Sequence, residues 1–232
     1  MSMLIAAAAV FLGIHLLIAG TKIRDAITGT IGENAYLGLF SLASIVVITW
    51  LVIAYNGAQA SGADPILYNL GEGIKHLGIP VVLLAFLLAV PGLVTPNPTS
   101  LKQEGAAAKP ITSVLAITRH PFLWGVAIWA AFHTAANGDE ASVIFFGTFL
   151  VLAMAGTVSI DAKRKRKMGA AWDAFAARTS NIPFGAVVSG RASLVTVLDW
   201  RMALALVVFV AVLFSHAHII GVSPFPGGWR PF

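Results

Sequence analysis

Six apolar runs, each close to the ~20 residues that cross a bilayer as a helix, dominate this chain: residues 3–20, 36–55, 74–94, 117–136, 141–160 and 202–221. At ~1.5 Å per helical residue each matches a hydrocarbon core ~30 Å thick. Lipid offers no hydrogen-bond partners, so backbone amides and carbonyls must bond to each other within each run, which a helix does. The expected fold class is therefore all-α: a polytopic transmembrane helical bundle of about six spans, in a single domain. Composition agrees, with 58% of the 232 residues hydrophobic and 11% charged. A soluble domain carries about a quarter charged residues. Run 3–20 has no basic segment before it and reads as a retained span rather than a signal peptide.

The connections give topology and orientation. Asn137-Gly138-Asp139-Glu140 is a tight polar turn, which makes the fourth and fifth spans antiparallel neighbours. Loop 95–116 contains Pro96, Pro98, Gly105 and Pro110 and has no apolar period. Alternate loops are basic: Lys22 and Arg24, then Lys102 and Lys109, then Lys163 to Lys167 with Arg178, Arg191 and Arg201. The opposite loops carry Asp64, Glu72, Asp139 and Glu140. Basic loops stay cytoplasmic, so both termini are expected outside. The net charge of +5 then faces membrane lipids, the expected partner, and no nucleic acid is implied. Near 168–178, Trp172 and Phe175 share a helical face, as in a helix lying in the membrane interface. Glu72 and Asp161 are expected at the surface.

The chain has no cysteine, which excludes disulfides, thiolate metal sites and thiol catalysis. The remaining ionisable groups at membrane depth are histidines: His15, His76, His120, His133, His216 and His218. Such a histidine is either an interhelical hydrogen-bond partner or a ligand, since neutral imidazole binds iron well. Two imidazoles on different helices would sandwich a haem where small residues leave room. His133 lies among Ala127, Ala130, Ala131, Ala135 and Ala136, and His15 near Gly13, Ala19 and Gly20.

Specific motifs add a resemblance. Gly-Ile-His-Leu-Leu at 13–17, Lys22-Ile-Arg24 and Gly-Glu-Asn-Ala-Tyr at 32–36 are followed by Arg-His-Pro-Phe-Leu-Trp-Gly at 119–125. Then come Ile-Trp-Ala-Ala-Phe-His-Thr-Ala-Ala-Asn-Gly-Asp at 128–139 and Thr-Ser-Asn-Ile-Pro-Phe at 179–184. Together these resemble the NnrU family of bacterial membrane proteins, associated with denitrification and nitric oxide metabolism, and the related 15-cis-ζ-carotene isomerases. The resemblance implies a multi-pass protein of the bacterial inner membrane that binds haem b. Its iron ligands would be His15 and His133, with His76 and His120 as second choices. Arg24, Arg119 and Trp129 would contact the cofactor. The isomerases carry a cysteine three residues before the second ligand; Ala130 stands there in this chain. The implied function is isomerisation of a lipophilic polyene or chemistry on a small gas ligand. A non-catalytic sensor of haem or nitric oxide, or an assembly factor, is the alternative of a different class. Arg-His-Pro-x-x-x-Gly also resembles the S-adenosylmethionine contact motif of isoprenylcysteine and phospholipid methyltransferases, but their acidic pair is missing. One tension stands: His15 and His133 differ in expected depth by ~10 Å. By depth alone, His15 suits His120 and His76 suits His133.

Overall fold

A computed structural model describes residues 1–228. Its α-helices are α1 (Ser2–Leu12), α2 (Lys22–Ile31), α3 (Glu33–Ala60), α4 (Gly78–Val94), α5 (Pro121–Ala136), α6 (Glu140–Met168), α7 (Ala170–Arg178), α8 (Gly185–Val188) and α9 (Trp200–Ile220). Apart from one bridge between Ile66 and Asp139, no strand pairing occurs among the described residues. α3, α4 with its leading turn (Glu72–Val94), α6 and α9 are each long and apolar enough to cross a membrane. The first run passes only jointly with α2, across a 77° bend, and α5 is a shorter apolar helix. The expected six thus resolve into four unbroken spans, one bent span and one helix of 16 residues.

The differences from the expected boundaries have local causes. The fourth span starts at Pro121 rather than 117. Proline suits a first helical position and pushes its predecessor out of the helical region, and His120 has φ −120° and ψ 53°. The third span opens with a 3₁₀ turn, Glu72–Leu77, so His76 lies exposed outside α4. The fifth runs on through the pentabasic stretch and ends at Gly169, whose φ of 53° suits glycine.

The first span breaks at a π-helical turn, Gly13–Ile18, closed by Ala19 N–H donating to Ile14 O at 3.0 Å. The carbonyls freed at this break find partners on α6. Ser159 Oγ donates to Gly20 O at 3.4 Å and Lys163 Nζ to Ala19 O at 3.3 Å. Thr21 then caps α2 by accepting from Ile23 N.

At the acidic-loop end, α1 packs against α3 and α6 through Leu4, Ala7, Phe11, Leu51, Ala58 and Ala141. The loop before α4 folds over the α5–α6 turn. Leu67 N donates to Gly138 O at 2.7 Å, Glu140 N donates to Pro65 O at 2.9 Å, and Tyr68 Oη donates to Thr134 O. Asp139 caps α6 by accepting from Ser142 N at 2.8 Å. The expected tight antiparallel turn is present.

α7, expected in the membrane interface, packs its two aromatic side chains on protein. Trp172 and Phe175 are 3% and 0% exposed, packed on Ala107 with Ile111, Met168 and Ala176. Loop 95–116 supplies the apolar surface that lipid was expected to supply, so the helix docks on protein.

α4 and α5 cross closely because Gly125 has no side chain. A Cβ there would lie 2.6 Å from Ala85 O and 2.7 Å from Ala89 Cβ. Gly125→Ala is expected to cost roughly 1–3 kcal/mol by overpacking. Gly147→Ala meets open space and is expected to cost nothing. Thermal unfolding of the detergent-solubilised variants checks both; equal midpoints would contradict the close crossing.

Candidate functional site

His15 and His133 share one local geometry. His15 sits in the π turn, and its Nδ1–H donates to Phe11 O at 2.7 Å. His133 sits in the last turn of α5, and its Nδ1–H donates to Trp129 O at 2.8 Å. Both bonds reach back one turn, as helical side chains favour, and both fix the tautomer that leaves Nε2 as an acceptor.

Aromatic rings link the pair. Phe11 lies 4.4 Å from His15 and 5.5 Å from Phe149; Trp129 lies 5.8 Å from Phe149 and 5.1 Å from His133, centroid to centroid. Phe40 meets the other side of His15 edge-on at 5.3 Å, and Phe146 stacks on His133 at 4.8 Å. Because Phe11 and Trp129 both meet Phe149, they share a level. α1 and α5 run in opposite directions. Each histidine lies one turn beyond that level on its own side, so their backbones are about 12 Å apart in depth. Each imidazole reaches back along its own helix toward the level of Phe149. Neutral imidazole is suitable donor chemistry for haem iron. The rings of Phe11, Phe149 and Trp129 fill the space between, and they would have to part for both nitrogens to share one iron.

The second-choice histidines are placed differently. His76 is exposed, with Nδ1 3.2 Å from Glu72 O. His120 is 2% exposed and its Nε2–H donates to Asp161 Oδ1 at 2.6 Å. Neither depth-matched pair is assembled: His120 faces Asp161, and His76 is exposed in the 3₁₀ turn that opens its span. His216 Nδ1 donates to Val222 O at 2.7 Å, and His218 is exposed.

Asp161 corrects an expectation. Expected at the surface, its side chain is only 19% exposed and binds both Arg119 and His120. Arg119 Nε donates to Oδ1 and Oδ2 at 3.0 Å each, and Nη2 also donates to Oδ2. Its guanidinium lies 5.8 Å over Trp172. The turn is clamped from two sides. Asn97 Nδ2 donates to Arg119 O at 2.9 Å, Arg119 N donates to Ser180 O at 2.8 Å, and Trp124 Nε1 donates to Asn181 O at 2.8 Å. Thr-Ser-Asn-Ile-Pro-Phe is thus the backbone cradle of Arg-His-Pro, a relation that spacing along the chain does not reveal.

Arg24 is also engaged, by Glu33 and Asp25, with its guanidinium 5.3 Å over Tyr36. Trp129 is the one proposed cofactor-contact residue found beside His133. The cleft next to His120 has a volume of about 190 Å³, below the ~300 Å³ usual for drug-sized ligands. With the Arg119 guanidinium and the His120 imidazole already bonded to Asp161, S-adenosylmethionine binding finds no support in this arrangement. No cluster of three or more metal-ligating His, Cys, Asp or Glu occurs among the described residues.

A second ionic group sits in the adjoining basic loops. Arg164, 7% exposed, donates to Glu104 and, at 2.6 Å, to Ser100 O; Lys167 also reaches Glu104 at 2.7 Å. Lys167, then the backbone and Arg164, hold the Glu104 carboxyl down at about 2, against the opposing effect of burial.

Comparison with known proteins follows the geometry. The family model described as NnrU protein matches residues 3–224. The 15-cis-zeta-carotene isomerase of Zea mays is 26% identical over 183 residues, covering 75% of this chain and 47% of that protein. The Arabidopsis thaliana protein of the same description is 26% identical over 180 residues, covering 73% of this chain and 46% of its own length. The chain spans about half the length of these curated relatives. No solved structure gives a significant match.

Two stability outcomes are expected. Asp161→Ala leaves a largely buried guanidinium without its counter-charge and should destabilise by about 3–5 kcal/mol. Lys165→Ala, on an exposed side chain, should change stability by less than about 0.5 kcal/mol. Glu104 has a depressed folded pKa, so its contribution is complete above the ordinary value of 4.5 and is lost as pH falls toward about 2. Glu104→Gln should flatten the thermal midpoint across that window. A wild-type midpoint that already falls between pH 7 and 5 in a Glu104-dependent way would contradict this.

Proposed function

This chain belongs to the NnrU family, and from that premise we propose that it is a membrane-embedded, haem-dependent isomerase of a lipophilic conjugated polyene. The observation that carries the reading is the matched pair His15 and His133. Each imidazole is buttressed through Nδ1 by its own helix, and the rings of Phe11, Phe149 and Trp129 connect the two. Buttressing of that kind is how proteins fix the tautomer of a ligating histidine. The likeness to 15-cis-zeta-carotene isomerases supports the substrate class.

His133 and His15 would hold haem b, whose iron would supply the centre able to weaken a double bond of a bound polyene. The protein's own residues do the rest. Trp129, Phe149, Phe146 and Phe11 offer flat apolar faces against which a conjugated chain stacks. They also exclude water from the reacting bond. The Asp161 clasp fixes the start of α5 and hence the register of Trp129 and His133. An isomerisation changes double-bond geometry without net oxidation, so no proton-donating side chain is required at membrane depth. The exposed apolar surfaces of α3 and α9 face lipid, from which such a substrate would arrive. We place the protein in the bacterial inner membrane with its basic loops cytoplasmic, on the charge asymmetry of its loops.

In lipid nanodiscs loaded with hemin, the protein should convert 15-cis ζ-carotene to an isomer of unchanged mass and later-shifted absorption fine structure. His133→Ala should lose at least 90% of this turnover while remaining membrane-inserted, and His218→Ala should retain it. Full turnover in the His133 variant would reject the assignment.

A further inference from the structure

Where α4 ends, a cleft of about 440 Å³ opens among the basic loops, away from the histidine strip and lined in part by Leu93, Val94, Thr95, Lys102, Gln103 and Lys109. Thr95 is 4% exposed, and its Oγ1 has no hydrogen-bond partner. A buried hydroxyl is normally bonded, so an unpartnered one on a cleft wall points to a ligand atom. Lys102 stands in the left-handed region at φ 56°, which a lysine rarely adopts. Strain of that kind persists where the surroundings enforce it and gathers at binding sites. Its Nζ donates to Asn34 Oδ1 at 2.9 Å, which leaves further N–H donors.

The charges of this cleft are uncompensated. Glu104, the acid of the same loop, is bound by Arg164 and Lys167. Lys109 has no carboxylate partner among the described residues. Depth supplies the remaining clue. Thr95 directly follows the last residue of a membrane-spanning helix, so the cleft lies at headgroup level. Leu93 and Val94, 65% and 41% exposed, border it on the hydrocarbon side.

We propose that this cleft binds the phosphate headgroup of an anionic phospholipid. Lys102 and Lys109 would flank the phosphodiester, the Thr95 hydroxyl would donate to it, and an acyl chain would lie along Leu93 and Val94. The volume is within the range of built small-molecule sites. The site is independent of the cofactor and of the isomerase reading. A diffuse attraction of basic loops to anionic lipid exists in any such protein; the unpartnered Thr95 and the strained Lys102 distinguish this place from the rest of the basic surface.

The test is binding of dioctanoyl phosphatidylglycerol to the detergent-purified full chain, followed by native mass spectrometry and calorimetry. Wild type should bind it at least tenfold more tightly than dioctanoyl phosphatidylcholine. The Lys102→Ala/Lys109→Ala pair should weaken binding about 30-fold, from the usual contribution of two lysines near a lipid surface. Thr95→Val, which keeps the shape, should weaken it several-fold. Lys165→Ala/Arg166→Ala removes the same charge elsewhere and should change binding less than twofold. An equal loss in that charge-matched pair, or no headgroup preference, would overturn the proposal. Displacement of the lipid by inorganic phosphate at equal concentration would overturn it too, reassigning the cleft to free anions.

Discussion

One carboxylate organises the basic-loop end of this bundle. Asp161 neutralises the Arg119 guanidinium and accepts a hydrogen bond from His120, joining α6 to the turn that starts α5. The guanidinium could not be kept in so buried a place without it, because an uncompensated charge away from water is far costlier than a paired one. Loops 95–100 and 179–184 then bond to the backbone of the same turn. The helix that carries Trp129 and His133 is thereby anchored at its first residue, sixteen residues including Pro121 running from that anchor to Ala136.

The same end of α6 carries a second device. The bent first span would expose broken backbone bonds to lipid if Ser159 and Lys163 did not reach its freed carbonyls. The π turn so tolerated is the one that presents His15. π turns inside helices recur at functional sites because they re-aim one residue at a cost in local stability. Here the turn carries the histidine that packs on Phe11, one end of the aromatic strip whose other end is Trp129 and His133. Both anchors on α6, Asp161 and Ser159, thus serve to position a histidine on a neighbouring helix.

Much of this was legible in the chain. The apolar runs gave the helices, and Asn137-Gly138-Asp139-Glu140 gave the antiparallel pairing of α5 and α6. His15 and His133 were legible only through motifs, since a buried histidine alone does not tell a ligand from a hydrogen-bond partner. Three things were not legible, each for a physical reason. Asp161 follows directly on an apolar run and precedes a basic one, a setting that reads as a solvated end; its burial depends on loops far away in sequence. Trp172 and Phe175 show the spacing of a membrane-surface helix, and only the fold of loop 95–116 shows that Ala107 covers them. The bend after Ile18 comes without a proline, and the Lys22 and Arg24 that follow it read as an ordinary loop between spans. The expected depth difference of ~10 Å stands beside about 12 Å reckoned from the helix rise.

Two imidazoles at the two ends of one aromatic strip are the core of this account, and an absorption spectrum of the wild-type protein, purified in detergent after hemin reconstitution, probes them most directly. The account predicts a Soret band displaced from that of free hemin, with the sharp paired visible bands of six-coordinate, low-spin iron after reduction. A spectrum indistinguishable from hemin in empty micelles, in both oxidation states, would contradict it.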